Sequence, residues 1–187
     1  MLKRLIDLVL IVIAVPLALP LGVGVALAIL ATDGQPIFYW SQRVGRHNRL
    51  FWMPKFRTMR RDTPAVATHL LTDPQAALTP VGGFLRMSSL DEIPQLFSVL
   101  RGDMTIVGPR PALFNQDDLV TLRTSHGLDD LVPGITGWAQ VNGRDDLSVQ
   151  QKVEYDRYYH QHRSSILDMR VIYLTIRNVI RRDGVHH

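Results

Sequence analysis

Residues 8–31 read LVLIVIAVPLALPLGVGVALAILA, a run of 24 residues without a charged or polar side chain. A helix needs about 20 apolar residues to cross a bilayer. A secretory signal peptide has a shorter apolar core of roughly 7–15 residues, followed by a cleavage site of small residues. Here the run is longer, and the Thr-Asp-Gly that follows at 32–34 is typical of a turn. The run therefore predicts a membrane helix that is retained in the mature chain.

The charges on either side of this run predict how the helix sits in the membrane. Two cations precede it, and five follow it, at Arg43, Arg46, Arg49, Lys55 and Arg57. Lys and Arg concentrate on the cytoplasmic side of spanning helices, so two positive flanks favour a helix that enters the cytoplasmic leaflet and returns. A helix that spans the bilayer is the alternative.

Two prolines near the middle of the run, Pro16 and Pro20, mark the predicted break in the membrane helix. Each lacks an N–H and leaves a carbonyl without its helical partner, which kinks the helix. An arm of about 12 residues reaches only about 18 Å, which is short of a hydrocarbon core about 30 Å thick. An ordinary spanning helix with a proline kink would contain the same residues.

The composition points to phosphate-bearing partners. Of 21 basic residues 18 are Arg, and the chain has no Cys, which excludes disulfides and thiolate metal sites. Arg binds phosphate through a planar fork, so nucleotides, anionic lipids and nucleic acids are all candidates. A membrane-anchored nucleic-acid-binding protein is one alternative function. However, the cations do not form a stripe interleaved with stacking aromatic residues, so we expect no nucleic-acid partner.

The rest of the chain predicts an α+β fold with a small β element. Aromatic, strand-like runs occur at 37–40 and 50–53. Helices are expected at about 80–87, 90–101, 112–124, 148–161 and 165–182, and residues 60–78 read as loop. In the last helix Arg170, Arg177 and Arg181 share one face. Such a helix can lie in the headgroup plane, although an amphipathic helix that faces a soluble core has the same pattern.

The run Ser88–Leu96, SSLDEIPQL, is the most informative for chemistry. Ser89 and Glu92 have the spacing of a capping box, which places Asp91 and Glu92 in the first turn of a helix. The positive end of the helix dipole favours ionised carboxylates there. Because adjacent helical residues diverge by about 100°, the two acids are expected to act separately rather than share one proton. Simple complementation of the helix dipole is the alternative.

Three further segments contain candidate phosphate and nucleotide contacts. Arg110 lies between two prolines in GPRP at 108–111, where a stiff backbone suits a side chain aimed at a phosphate. In PGITGWAQVNGR at 133–144, three glycines permit close backbone approach, and Trp138 and Gln140 offer a flat apolar face and an amide. KFRTM at 55–59 adds two cations.

Taken together, these motifs resemble those of the bacterial sugar transferases, small monotopic phosphoglycosyl transferases that act on polyprenyl phosphate. KFRTM, the run around Asp91, RGDM at 101–104, GPRP and PGITGWAQVNGR occur in the order and approximate spacing of that family. The resemblance covers essentially the whole chain. It implies a re-entrant anchor at residues 1–34 and a catalytic domain at 35–187 on the cytoplasmic face of the inner membrane, with interfacial amphipathic helices.

The resemblance also implies a reaction. Asp91 would attack a UDP-sugar, release UMP and form an aspartyl phosphosugar that undecaprenyl phosphate then accepts. Glu92 would help to bind Mg²⁺ or assist proton transfer, and Asp91 and Glu92 together form the expected metal site. Phosphate contacts are expected from Lys55, Arg57, Arg86 and Arg110, and nucleotide contacts from Trp138, Gln140 and Arg144.

One position departs from the family. Ser-Pro is usual at the membrane break, and this chain has Leu19-Pro20, so no hydroxyl is available to the freed backbone.

Membrane lipids are expected partners, and a homodimer is conceivable. A non-catalytic scaffold and a metal-dependent lipid-phosphate hydrolase are the remaining alternatives. No residue discriminates among acetamido sugars, galactose and glucose.

Overall fold

A computed structural model describes residues 2–64, 73–143 and 146–181. The longest elements are α1 (Leu2–Asp33), α6 (Val149–His162) and α7 (Ser165–Arg181). The shorter helices are α2 (Gly82–Met87), α3 (Gln95–Arg101), α4 (Asp117–Ser125) and α5 (Trp138–Val141). The strands are β1 (Phe38–Val44), β2 (Leu50–Phe56), β3 (Thr105–Val107) and β4 (Gly134–Thr136). The expected α+β class is confirmed.

Helix α1 includes the whole apolar run and is long and apolar enough to cross a membrane, by length and composition. Its backbone stays helical through Pro16 and Pro20. Any change of direction at the prolines is therefore a bend within one helix and not a non-helical interruption. Most of its large apolar side chains are exposed, as expected for a helix whose solvent is lipid.

The β structure is more extensive than the sequence indicated. The two strand-like runs are confirmed as β1 and β2, which pair with each other, and each strand is longer than its aromatic run. Strands β3 and β4 form a second, parallel pair, with Thr105 opposite Gly134 and Val107 opposite Thr136. At three residues each, they are too short to show an alternating pattern, and we did not predict them.

The predicted helices are found with two corrections. The helix expected over 90–101 is a single 3₁₀ turn at Leu90–Glu92 followed by α3, because Pro94 cannot donate the hydrogen bond of a helix interior. The helix expected from 112 begins at Asp117, because Leu113 forms an isolated antiparallel bridge with Arg43 and residues 114–115 form a turn.

The chain divides into two compact units. The first contains residues 1–41 and 52–98, and its core joins Val25 and Ile29 of α1 to Phe56 and Leu85. The second contains residues 42–51 and 99–186. Its core is formed by buried side chains of β3, α4, α6 and α7 and of the loops between them, with the hydroxyl of Tyr159 donating to the carbonyl of Val107.

The glycines of the GPRP and PGITG segments bring two backbones together in the second unit. A Cβ added at Gly134 would lie 2.2 Å from the Gly108 nitrogen, and one at Gly137 would lie 2.1 Å from the Gly108 carbonyl oxygen. The Gly108 amide donates to the Thr136 carbonyl at 2.8 Å. The close approach predicted from these glycines is therefore between two backbone segments of the chain, where β3 and β4 pair.

A buried ion pair supports the same segment. The Arg123 guanidinium donates to Asp156 through Nε and Nη2, at 2.9 and 2.7 Å, and to the Arg110 carbonyl through Nη1 at 2.9 Å. The carboxylate of Asp156 is almost fully buried. Burial raises the pKa of Asp156, and the charge of Arg123 opposes that rise. Arg123 thus neutralises a buried acid and fixes the backbone at Arg110.

We expect Arg123→Met to lower the free energy of unfolding by about 3 kcal/mol, because the buried carboxylate of Asp156 loses its partner. A raised pKa in the folded state means that stability is lost as pH rises through that pKa. The deficit of the variant relative to the parent should therefore shrink on acidification. Thermal unfolding in nanodiscs at several pH values measures this deficit. Arg157→Met, at an exposed position on α6, is the control. A deficit below about 1 kcal/mol at neutral pH would contradict this assignment.

Candidate active site

The two predicted catalytic acids lie in the 3₁₀ turn Leu90–Glu92, between α2 and α3. Ser89 adopts a left-handed conformation with φ of 57° and makes no side-chain cap. The predicted capping box is therefore wrong. The acids do lie in the first turn of a helix, as predicted, but this helix is a 3₁₀ helix of three residues. A single 3₁₀ turn has little dipole, so a different group must balance the charge of the acids.

Lys55 of β2 provides that charge. Its Nζ donates to Glu92 Oε1 at 2.9 Å and lies 3.7 Å from Asp91 Oδ2. All three side chains are largely buried, with exposures of 14% for Lys55, 12% for Glu92 and 9% for Asp91. Coulomb interactions at such short range and low exposure are much stronger than in water. One ammonium thus lies within 4 Å of both carboxylates.

The apolar helix packs directly against this cluster. A Cβ added at Gly22 would lie 3.7 Å from both Ile93 and the Phe56 ring, and these two residues directly follow Glu92 and Lys55 in the sequence. One and two turns further along α1, Val25 and Ile29 are buried in the same core. Gly22 has no side chain, so the helix can approach the acid turn closely. The acids and their lysine are therefore level with the second half of α1.

Arg57, a predicted phosphate contact, also has a structural role. Its side chain is buried, and its guanidinium donates to the carboxylate of Asp33 and to the carbonyls of Asp33, Gly34 and Pro36. These contacts involve all three nitrogens of the guanidinium. We therefore assign Arg57 to positioning. It fixes the C-terminal end of α1 beside the strand that carries Lys55.

Two residues around the acid turn complete this part of the site. Arg86 lies half-buried in the last turn of α2, and α2 packs against the 3₁₀ turn. Gln95, the first residue of α3, is 1% exposed, and its Nε2 has no hydrogen-bond partner among the described residues. A buried donor of that kind costs about 1–3 kcal/mol. We did not predict Gln95 as a site residue. The signal for it in the sequence was an amide side chain directly before an apolar run.

The other predicted contacts belong to the second unit. The Trp138 ring stacks on the Tyr158 ring with 5.6 Å between their centroids. The Arg170 guanidinium lies over the Trp138 ring, 5.6 Å from its centroid. The side chain of Gln140 donates to the Ile135 carbonyl at 3.0 Å. Both side chains therefore have a packing role within the chain. Arg110 is half-buried, and Arg144 lies outside the described residues.

The donor set of the acid turn bears on metal binding. Among the described residues no three His, Cys, Asp or Glu side chains come together, so the protein offers Asp91 and Glu92 as a pair of carboxylates. Mg²⁺ commonly takes one or two carboxylates together with phosphate oxygens of the substrate and water. The pair fits that pattern once the Lys55 ammonium moves from Glu92 to a phosphate.

Comparisons with known proteins agree with these features. A profile of a family described as bacterial sugar transferase matches residues 1–182. The sugar transferase EpsL of Bacillus subtilis (strain 168) is 36% identical over 184 residues, which cover 98% of this chain and 90% of EpsL.

Two longer relatives have names that state an activity. The undecaprenyl-phosphate galactose phosphotransferase of Salmonella typhimurium is 40% identical over 172 residues, 82% of this chain and 35% of that protein. The UDP-glucose:undecaprenyl-phosphate glucose-1-phosphate transferase of Escherichia coli (strain K12) is 36% identical over 185 residues, 94% of this chain and 39% of its own. This chain thus spans little more than a third of either. With the family profile matched over almost its whole length, the chain belongs to the bacterial sugar transferase family.

Proposed function

We propose that the chain transfers a sugar phosphate from a UDP-sugar to undecaprenyl phosphate and releases UMP. One observation carries the proposal: two adjacent acids, Asp91 and Glu92, are held by one lysine in a turn that packs against an apolar helix. A soluble hydrolase has no need for such an anchor beside its acids. The names of the relatives from Salmonella and Escherichia coli state undecaprenyl phosphate as acceptor, which supports the same reaction.

The reaction proceeds in two displacements at one phosphorus atom. An oxygen of Asp91 attacks the sugar-bearing phosphorus, and the bond to the bridging oxygen breaks, so that UMP leaves with that oxygen. An oxygen of polyprenyl phosphate then attacks the same phosphorus. The bond to Asp91 breaks, a lipid diphosphate sugar forms, and the carboxylate returns. Such a covalent step divides one difficult displacement into two easier ones.

The side chains around Asp91 have distinct tasks in this scheme. Lys55 orients the two acids in the resting site and can follow the incoming phosphate, because its ammonium rotates freely on a flexible stem. Arg86 adds a fixed positive charge for phosphate binding. Mg²⁺ held by Asp91 and Glu92 would neutralise the diphosphate charge. Most of the catalysis in phosphoryl transfer comes from such positioning and charge stabilisation.

The packing against α1 also favours a re-entrant topology. In a spanning helix the midpoint of residues 8–31 lies at the bilayer centre, and Gly22 is only about 4 Å from that midpoint. Asp91, Glu92 and Lys55, level with Gly22, would then lie deep in hydrocarbon, at a cost of about 2.5–3.5 kcal/mol for each charge. A helix that dips into one leaflet instead leaves its second half near the headgroups, where the phosphate of the acceptor lies.

This topology predicts that both ends of α1 face the cytoplasm. The chain has no cysteine, so Leu2→Cys and Gln35→Cys, both at exposed positions, can be labelled singly. We expect both variants to resist a membrane-impermeant maleimide in spheroplasts and to react in inverted vesicles. Labelling of the two positions from opposite sides would show that α1 spans the membrane.

Purified protein, undecaprenyl phosphate, Mg²⁺ and a panel of UDP-sugars test the proposed activity. We expect UMP release with at least one sugar nucleotide, dependent on the lipid acceptor under multiple-turnover conditions. Release of inorganic phosphate from the lipid without a UDP-sugar would identify a hydrolase instead. The absence of both products would support a non-catalytic scaffold.

A further inference from the structure

Residues 108–112, which are the GPRP segment and the alanine after it, lie in neither a helix nor a strand. Connecting segments of this kind usually run over the surface and are mobile. Here each of the five residues makes a backbone hydrogen bond within the second unit. Three of these bonds join backbone groups: Gly108 N–H to the Thr136 carbonyl, Gly134 N–H to the Pro109 carbonyl and Val44 N–H to the Ala112 carbonyl, at 2.8, 2.8 and 3.0 Å.

Arginine side chains hold the two remaining residues of the segment. Arg123 of α4 donates from Nη1 to the Arg110 carbonyl at 2.9 Å, and Arg43 of β1 donates from Nη1 to the Pro111 carbonyl at 3.1 Å. Pro109 and Pro111 have no N–H, so at these residues the backbone can be held only through a carbonyl. Side-chain donors therefore complete what backbone pairing cannot provide.

These contacts fix the backbone on both sides of the Arg110 Cα. The peptide group before it is held through the Pro109 carbonyl, and the one after it through the Arg110 carbonyl. The fold therefore sets the direction in which the Arg110 side chain leaves the backbone. Ordering the backbone of a residue is unfavourable, and here that step is complete before any ligand arrives.

Stability alone does not account for the use of Arg123. Its side chain is 14% exposed and pairs with Asp156, whose side chain is 1% exposed. Such a buried pair contributes little net stability compared with apolar side chains of similar volume, because both charges lose their hydration. The pair does provide a guanidinium that the carboxylate holds in place, with Nη1 directed to the Arg110 carbonyl.

We propose that Arg43 and Arg123 are positioning residues that hold Arg110 in the conformation that binds the diphosphate of the UDP-sugar. The inference rests on the proposed function and on the phosphate contact expected from Arg110. A guanidinium binds a phosphate through two parallel hydrogen bonds, which depend on its orientation. An arginine on an ordered backbone loses only side-chain freedom on binding, so its affinity exceeds that of an arginine on a mobile loop.

UDP binding to the full chain in nanodiscs, with Mg²⁺ present, measures the effect, because UDP carries two linked phosphates as the donor does. We expect Arg43→Met to weaken UDP binding about tenfold, since small displacements of a positioned group have effects of that size or larger. Arg123→Lys should have a similar effect. Its ammonium can stay beside Asp156, but it lacks the planar fork that reaches the carboxylate and the Arg110 carbonyl together.

Arg46→Met is the matched control. Arg46 is an exposed residue in the connection between β1 and β2, and its Nε donates to the Asp130 carbonyl at 2.7 Å. Its replacement removes the same charge and the same kind of contact, but outside residues 108–112. UDP affinity should stay within about twofold of the parent.

A double-mutant cycle separates positioning from a general structural effect. In a chain that already carries Arg110→Met, Arg43→Met should weaken UDP binding no further, because Arg43 acts through Arg110. Equal losses from Arg43→Met in both backgrounds would overturn the positioning role. So would UDP binding by Arg43→Met and Arg123→Lys that matches the parent, in which case UMP release by the parent would still support the transfer reaction. If the parent neither binds UDP nor releases UMP, the proposed function fails and this inference with it.

Discussion

Asp91→Asn is expected to reduce UMP release by at least about 10⁴-fold, because the loss of a catalytic nucleophile can cost about 10⁶-fold in turnover. The amide keeps the size of the carboxylate but cannot form the phosphosugar bond. Lys55 retains its 2.9 Å contact with Glu92, so the turn should keep its structure. The measurement is UMP formed per enzyme with undecaprenyl phosphate and the preferred UDP-sugar.

Two further variants define what this loss means. Asp117→Asn changes an exposed acid at the start of α4 and should leave turnover within about twofold of the parent. Glu92→Gln should lower turnover severely but less than Asp91→Asn. It removes a carboxylate that contacts Lys55 and would help to bind Mg²⁺, but it leaves the nucleophile in place. Near-normal turnover by Asp91→Asn would exclude this residue as the nucleophile.

Gly82→Ala is expected to cost more than about 4 kcal/mol of stability. Gly82 lies in the first turn of α2, where its Cβ would be 2.1 Å from the Thr58 carbonyl oxygen and 2.8 Å from the Thr79 hydroxyl. A backbone oxygen cannot move away as the end of a flexible side chain can. To relieve the clash, α2 would have to separate from Thr58 and Thr79, and the acid turn that α2 precedes would move with it.

The next residue provides a matched control. Gly83 also lies in α2, but a Cβ there would meet only a Leu78 methyl at 3.7 Å, an ordinary contact. Gly83→Ala should be neutral or stabilise by up to about 1 kcal/mol, because Ala favours the helix. Thermal unfolding of both variants in nanodiscs makes the comparison. Equal stability of the two would show that α2 does not approach Thr58 this closely.

The sequence was sufficient where a signal was long or chemically distinctive. The 24 apolar residues predicted α1, and the positions of α6 and α7 followed from their periodicity to within a residue of the observed start. Lys55, Asp91 and Glu92 were each selected as site residues, and the structure brings the three together, while their catalytic roles stay a prediction. These predictions rest on burial patterns and residue types, which a sequence displays directly.

The predictions failed where an interaction between distant residues decided the outcome. Ser89 and Glu92 have capping-box spacing, but Glu92 bonds to Lys55, which is 37 residues away in the chain. No local pattern indicated that Arg57 holds the end of α1. The parallel pair of β3 and β4 depends on glycines that let Gly134 approach Gly108. Local patterns cannot report such contacts, because tertiary structure overrides them.

The most direct measurement is a single-turnover reaction of stoichiometric protein with the UDP-sugar in the absence of undecaprenyl phosphate. The account predicts a burst of about one UMP per protein and a sugar-phosphate mass added to the tryptic peptide 87–101, which contains Asp91. Fragmentation should place the added mass on Asp91 and not on Glu92. If UMP appeared only after the lipid was added, and no adduct formed at any time, direct transfer between the substrates would replace the covalent mechanism.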